Sequence, residues 1–339
     1  MDHEYTHRKL TEKLDKIEAE LERWLPQKIE TPWVEKVFSE SAKKTDKESI
    51  QIPLAPLRDI VSRGGKRWRP LLMTLVCEIL GGGDAALELS PLVEFCHNAS
   101  LIHDDIEDQS NERRGKPAIH LIYGMDTAIN SGSLFYFLST CCIDSCTIRN
   151  KEEVYKIWAE YMRRLHLGQA MDINWHRNVS LVPPPDQYFL MCGFKTGSLA
   201  SFAAELGAYS AGASNETMKR LGKAAEKLGV GFQILDDVKN LTTGIPGKKR
   251  GDDIIEGKKS LPVIKFLHKY PEKREMVFNC FHAAKSNTLS EPEIEKLIET
   301  LTASGVLKEA EEEGRNLLKE AREIFGAHDL IDGFFSIIS

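Results

Sequence analysis

The sequence has almost none of the signals that make strands. It shows no sustained period-two alternation and no Asn-Gly hairpin turn, which argues against a sheet-based domain and points to an all-α chain. It also has no uninterrupted apolar run long enough to span a bilayer. The nearest candidate, Leu199 to Ala213, carries Glu205, so any membrane link would run through a lipid-like ligand or product. The first residues, Met-Asp-His-Glu-Tyr-Thr-His-Arg, have no apolar core and do not read as a secretory signal. The seven cysteines are an odd number, and Cys141, Cys142 and Cys146 crowd one apolar segment without C-x-x-C spacing. They read as reduced, buried small residues of a cytoplasmic protein. Positive charge is not in excess: 45 Lys and Arg against 51 Asp and Glu leave a net charge of −6, which argues against nucleic acid as a partner.

What is present is a set of helical periods. Hydrophobic residues make up 42% and charged residues 28%, enough apolar material for a sizeable core. Nothing between the motifs reads as a linker, so a single all-α domain over 1–339 is expected: an N-terminal helix and loop in 1–50, a core in 55–265 and shorter helices in 266–339. Leu10, Leu14, Ile17, Leu21 and Trp24 mark the first amphipathic helix. Residues 40–50 read as a polar loop, Pro53 to Val61 as a short helix, and 87–108, 126–148, 151–175, 187–211 and 215–240 as long core helices. Residues 109–118 read as a polar loop and Thr242 to Asp253 as a flexible one. The expected architecture is a bundle of long helices around a central cavity.

Two acidic clusters end two of these helices. Leu101-Ile-His-Asp-Asp-Ile-Glu-Asp108 places Asp104 and Asp108 one above the other on a helix face, with Asp105 rotated to one side. Gln233-Ile-Leu-Asp-Asp-Val-Lys-Asn240 repeats the spacing with Asp236, Asp237 and Asn240. One cluster alone would read as a solvated helix end. Two at matching spacing read as a divalent-metal site built from two facing helices. Every donor is an oxygen, and no His or Cys sits at ligand spacing, so magnesium fits better than zinc or calcium. His103 reads as a helix hydrogen-bonding residue, not a ligand.

Basic clusters lie close by. In Gly64-Gly-Lys-Arg-Trp-Arg-Pro70 the glycines allow close approach of an anion, and Lys66 and Arg69 share a face at a helix start. A basic surface turn is the other reading of that segment. Glu112-Arg113-Arg114-Gly115-Lys116 follows the first carboxylates and could either neutralise them or bind phosphate oxygens. Lys195-Thr196-Gly197 and Gly257-Lys258-Lys259 are further phosphate-capable groups.

The segments GGKRWRP, CHNASLIHDDIEDQSNERRGKP, GQAMDINWHRN, KTGSLASF, GFQILDDVKNL and GDDIIEGKKSLP together resemble the trans-isoprenyl diphosphate synthases, in order and spacing, over roughly residues 55 to 265. The resemblance implies a prenyl transfer in which three Mg²⁺ ions assist ionisation of an allylic diphosphate and isopentenyl diphosphate attacks the resulting cation. Carried over by motif, Asp104, Asp108 and Asp236 ligate metal, with Asp105 and Asp237 supporting. Lys66, Arg69, His97 and Arg114 hold isopentenyl diphosphate. Arg113, Lys195, Lys258 and Gln169 hold the allylic diphosphate, and Thr196, Gln169 and Gln233 line the cation's path. Asn240 departs from the Asp that many members carry, a position that contacts metal through water at most. This variant, with IEDQS-x-x-RRG and GQ-x-MDI-x-W, is most similar to geranylgeranyl diphosphate synthases, which implies a homodimer formed through the helices around 126–175.

In that family the growing tail runs along the helix ahead of the first aspartate cluster, where each turn of about 5.4 Å admits roughly one isoprene unit. Ser100, Ala99 and Cys96 are small, so the tail is expected to pass the fifteen-carbon depth. Tyr136 and Phe137, with His166, are the expected floor for a twenty-carbon product; ordinary core packing is the other reading of the aromatics. A longer-chain or fifteen-carbon synthase of the same family is one alternative. A class I terpene cyclase would need Ser or Thr at 240 and Glu at 244, where Asn240 and Gly244 stand. A non-catalytic partner subunit would have lost aspartates that this chain keeps.

Overall fold

The computed structural model describes residues 3–148, 150–244, 250–286 and 288–338. It is all-α apart from one two-residue hairpin. The chain folds as two compact units. The first takes the described residues up to Ala159, with Phe202–Gly222 and 326–338; the second takes Glu160–Ser201 and the described part of Lys223–Phe325. The chain passes from one to the other inside the helices Lys151–Arg177, Ser198–Ser210 and Asn215–Leu241, and once more after Phe325.

In the first unit the central element is the helix Ser90–Glu107, buried along Leu92, Val93, Phe95, Cys96, Ala99 and Ile102. Phe95 stacks on Phe135 of the Met125–Leu138 helix with ring centroids 4.6 Å apart, which holds the segment carrying the first aspartates against its neighbour. The amphipathic N-terminal helix His3–Trp24 buries Leu10, Ile17, Leu21 and Trp24. It meets the C-terminal helix Asp329–Ile338, where Leu10 lies against Gly333, and Phe334 lies against Trp68.

In the second unit one apolar cluster gathers Phe266, Leu267, Val277, Phe281, Leu297, Ile298 and Leu301. Another gathers Trp175, Tyr188, Met191, Val230, Ile234 and Leu261, beside the end of Asn215–Leu241 that bears the second aspartates.

The structure corrects four boundaries. The long helix expected over 126–148 is two helices, Met125–Leu138 and Cys141–Ser145. Residues 40–50 are not a plain loop: a 3-10 turn covers Glu40–Lys44, and the next helix starts at Lys47, because Asp46 accepts from the Ser49 backbone N–H at 2.8 Å and caps it. The 109–118 segment contains strands Glu112–Arg113 and Lys116–Pro117, closed by Arg114 (φ 54) and Gly115 (φ 74). Two successive left-handed residues make the tight hairpin turn that Asn-Gly would otherwise signal. Of the loop expected from Thr242 to Asp253, residues 245–249 lie outside the described residues, and a short helix Asp252–Ile255 closes the rest.

Phe95→Ala is expected to cost about 3–5 kcal/mol, read as a lowered urea midpoint with helicity retained below it; an unchanged midpoint would remove this stacked pair as the anchor.

Candidate active site

Each unit holds one aspartate cluster, built on a helix end. In the first unit Asp108 caps Ser90–Glu107, its N–H on the Asp104 carbonyl at 2.8 Å. Asp104 is partly exposed, whereas the Asp105 side chain is fully buried and ion-paired to Arg113. Arg113 Nε donates to Asp105 Oδ1 at 2.9 Å and its Nη2 lies 3.5 Å from Asp104 Oδ2. Burial raises the Asp105 pKa and Arg113 opposes that rise. Asp104 and Asp108 thus offer two oxygen donors one turn apart, while Asp105 secures Arg113. No group of three or more His, Cys, Asp or Glu able to hold a metal occurs among the described residues. That donor set suits magnesium, which takes one or two carboxylates and completes its shell with substrate phosphate and water.

The basic groups of this unit divide by environment. Lys66 is exposed and donates to the Ile337 carbonyl at 3.0 Å. Arg69 lies over the Trp68 ring at 4.3 Å, with its Nη1 3.2 Å from His97 Nε2. Arg67, the third cation of that cluster, is buried and faces inward. Arg114 occupies the hairpin tip and donates to the Ile60 carbonyl at 3.1 Å. His103 stacks parallel to Tyr136 at 5.8 Å.

In the second unit a π-helical turn, Gly193–Gly197, presents Lys195 and Thr196; such turns recur at functional positions. It approaches the Lys151–Arg177 helix so closely that a Cβ on Gly168 would lie 2.3 Å from the Lys195 backbone nitrogen. Lys195 Nζ pairs with Asp172 at 2.7 Å, and Thr196 Oγ1 donates to Gln233 Oε1 at 3.0 Å. Gln233 Nε2 donates to Asp237 Oδ1 at 2.9 Å, and Tyr188 donates to Asp237 Oδ2 at 2.6 Å. Burial pushes the Asp237 pKa up to about 6, against the lowering effect of those two donors. Asp236 and Gln169 are half-buried. Lys258 pairs with Glu256 at 2.6 Å.

Several sequence expectations need revision. Lys259 is not a phosphate group: it is 3% exposed and donates to the carbonyls of Trp175 and Asn178. It caps the end of Lys151–Arg177, and burial lowers its pKa to about 8. Asn240 is buried. Its Oδ1 accepts from the Asp253 N–H at 3.3 Å and its carbonyl from Gly251 at 3.0 Å, so it ties down the short helix ahead of Lys258. Phe137 is 65% exposed while Tyr136 is 8% exposed, because consecutive helical residues point about 100° apart. Phe137 therefore lies on the outer face of the Met125–Leu138 helix, apart from Tyr136. His166 is exposed, with Nδ1 2.7 Å from the Met162 carbonyl. Ala99 and Cys96 are fully buried and Ser100 is half-buried.

Residues the sequence reading missed are Asp172, Tyr188, Glu94 and Asn98. Asp172 falls three residues after Gln169, one helical step along the same face, and that spacing was a usable signal. Tyr188 gave none, since a core tyrosine needs no ligand to explain it.

The sequence model of the polyprenyl synthetase family matches residues 51–301. A geranylfarnesyl diphosphate synthase of Aeropyrum pernix is 33% identical over 287 residues, covering 80% of this chain and 86% of that one. A geranylgeranyl pyrophosphate synthase of Neocamarosporium betae is 33% identical over 282 residues, covering 82% and 79%. The crystal structure of a geranylgeranyl pyrophosphate synthetase from Pyrococcus horikoshii aligns with a TM-score of 0.82 at 26% identity, over 99% of this chain and 98% of that one. A match of this extent, over a chain whose helix ends carry paired aspartates and phosphate-capable cations, shows that the protein belongs to the polyprenyl synthetase family and is a trans-isoprenyl diphosphate synthase.

Proposed function

We propose that this synthase makes geranylgeranyl diphosphate from isopentenyl diphosphate and a dimethylallyl, geranyl or farnesyl diphosphate primer, as a cytoplasmic homodimer. The observation that carries the product length lies below Asp104 on Ser90–Glu107. Ser100 is one turn down and Cys96 two, a descent of about 12 Å at 1.5 Å per residue. There Cys96 Sγ meets Ser139 Oγ at 3.3 Å, and Ser139 Oγ donates to the Tyr136 carbonyl at 2.6 Å. Small side chains thus run down to the Met125–Leu138 helix, whose buried Tyr136 is the proposed floor.

Asp104 and Asp108 would hold two magnesium ions and Asp236 the third; magnesium, when bound, supplies positive charge against the departing diphosphate. Arg113, Lys195, Lys258 and Gln169 hold the allylic diphosphate. The allylic C–O bond breaks and its electron pair leaves with the diphosphate. The Thr196 hydroxyl, its hydrogen committed to Gln233, keeps its lone pairs for the cation, so a dipole stabilises the charge without a nucleophile trapping it. The double bond of isopentenyl diphosphate attacks, and the proton then lost goes to the departed diphosphate.

Lys66, Arg69, His97 and Arg114 hold isopentenyl diphosphate. An arginine can only donate, so His97 Nε2 accepts from Arg69 and the ring is neutral with its proton on Nδ1. Burial, and then Arg69, Arg114, Arg113 and Arg67, push the His97 pKa well below its ordinary value. A neutral His97 orients Arg69 and brings a hydrogen-bond donor, not a charge, to the anion.

Among the described residues no helix is long and apolar enough to cross a membrane. Leu121, Ile122, Met125, Ile129 and Phe137 are nevertheless exposed, from 46% to 65%, on the neighbouring helices Ile119–Tyr123 and Met125–Leu138. A second copy of this face is the proposed cover.

Purified protein with Mg²⁺, labelled isopentenyl diphosphate and dimethylallyl, geranyl or farnesyl diphosphate as primer should yield a twenty-carbon alcohol after dephosphorylation, and nothing after chelation by EDTA. Asp104→Ala and Asp236→Ala should each lower turnover by about 10²-fold or more, and Tyr136→Ala should lengthen the product. A wild-type rate in either aspartate variant would sink the metal assignment, and an unchanged product in Tyr136→Ala would sink the floor.

Ile129→Glu should sediment as a monomer where the wild type sediments as a dimer; equal sedimentation of the two would place any interface elsewhere.

The pH dependence follows from His97. An unfolded histidine titrates near 6.5 and the folded one well below, so the unfolded state binds the extra proton first and stability falls as pH drops below about 6.5. Wild-type melting temperature should therefore fall more between pH 7.5 and 5.5 than that of His97→Asn, and parallel falls would mean that His97 is not held neutral.

A further inference from the structure

The two basic segments of the first unit are joined by one buried chain of hydrogen bonds. Arg67 caps the Trp68–Ile79 helix in the left-handed conformation, φ 46, and is 5% exposed. Its Nε donates to Glu18 Oε1 at 2.7 Å and its Nη2 to the Val61 carbonyl at 2.8 Å. Its Nη1 donates to Glu94 Oε1 at 2.9 Å and to the Gly64 carbonyl at 3.2 Å. Glu94 Oε1 also accepts from Asn98 Nδ2 at 2.9 Å, and Asn98 Oδ1 accepts from Arg114 Nη1 at 3.3 Å. Glu94 and Asn98 are buried at 2% and 0%. The chain thus runs from the N-terminal helix, through the Gly64–Gly65 loop and the Ser90–Glu107 helix, to the hairpin tip.

Both ends of this chain are conformationally demanding. Arg114 is itself left-handed, which a non-glycine residue holds only where its surroundings over-determine it. Gly65 is the complementary device: a Cβ there would lie 3.0 Å from Arg114 Nη2, so the loop backbone approaches the guanidinium because position 65 has no side chain. Arg67, Arg69 and Arg114 converge within this region; burial disfavours the charge on each and lowers the pKa of Arg69 and Arg114, and in all three the Glu94 charge opposes that.

We infer that Glu94 and Asn98 are positioning residues for isopentenyl diphosphate, acting through Arg67 and Arg114: Asn98 sets the Arg114 guanidinium, and Glu94 sets Asn98 while neutralising the converging arginines. Glu18 extends the same chain into the N-terminal helix, which thereby supports the substrate cradle as well as the core. The inference rests on the proposed assignment of Arg114 to isopentenyl diphosphate.

The test is a steady-state double-mutant cycle on the full-length magnesium-loaded enzyme, with both substrates varied. Asn98→Ala is expected to raise KM for isopentenyl diphosphate about tenfold, the effect of losing one hydrogen bond to a charged group. KM for the primer should stay within about twofold. Added to Arg114→Met it should cause no further rise, because residues that act through one group are not additive. Glu94→Gln, which keeps shape and acceptor but not charge, should give the same selective rise and stands in where Asn98→Ala does not fold. If Arg114→Met acts on the primer's KM instead, the assignment of Arg114 fails, and Asn98→Ala must follow it to that substrate for the coupling to stand. Additive effects in the cycle, or lower melting temperatures with both KM values unchanged in Asn98→Ala and Glu94→Gln, overturn the inference.

Discussion

Cations that are to grip a diphosphate must be held together before the anion arrives, and their mutual repulsion in a half-buried site is the constraint on which this structure turns. Unit charges about 4 Å apart interact by roughly 4 kcal/mol at an effective dielectric near 20, several times thermal energy. In the first unit the counter-charges are Asp105 for Arg113 and Glu94 for Arg67, both buried. Each carboxylate sits on the Ser90–Glu107 helix, so the element that presents Asp104 and Asp108 also anchors the neighbouring basic segments.

The second unit answers the same constraint with local pairs. Lys195 leans on Asp172 and Lys258 on Glu256, both partly shielded from water. An ion stripped of water and left without a partner costs several kcal/mol, so a bare lysine would fold outward or deprotonate. A carboxylate partner holds each ammonium close, in a pair that phosphate oxygens can replace.

The division of labour within each aspartate pair follows from helical geometry. The first and second aspartates are about 100° apart around the axis, so when one faces the open side the other turns inward. Asp105 is taken by Arg113, and Asp237 by Tyr188 and Gln233. Conserving the charge of the outer aspartate and satisfying the inner one are therefore separate tasks for adjacent residues.

Much of this was legible in order along the chain. The helical periods, the spacing of Asp104 to Asp108 and of Asp236 to Asn240, and the oxygen-only donor set all follow from sequence, because they depend on residues within one or two turns of each other. Which basic residue faces substrate did not. Lys66, Arg67 and Arg69 are near neighbours, yet Arg67 is committed to Glu18 and Glu94, 49 and 27 positions away. Lys258 and Lys259 are adjacent, yet Lys259 closes a helix end more than 80 residues earlier. Asn240 resembled a weakened metal position until its contact with Asp253 appeared, and Tyr136 and Phe137 parted only when one was packed and the other left outside. Sequence alone determined the helices and the chemistry they could offer, since both are set by local geometry and side-chain type. Tertiary structure decided which charges became buried supports and which stayed accessible, because a buried cation goes where distant carbonyls and carboxylates can satisfy it.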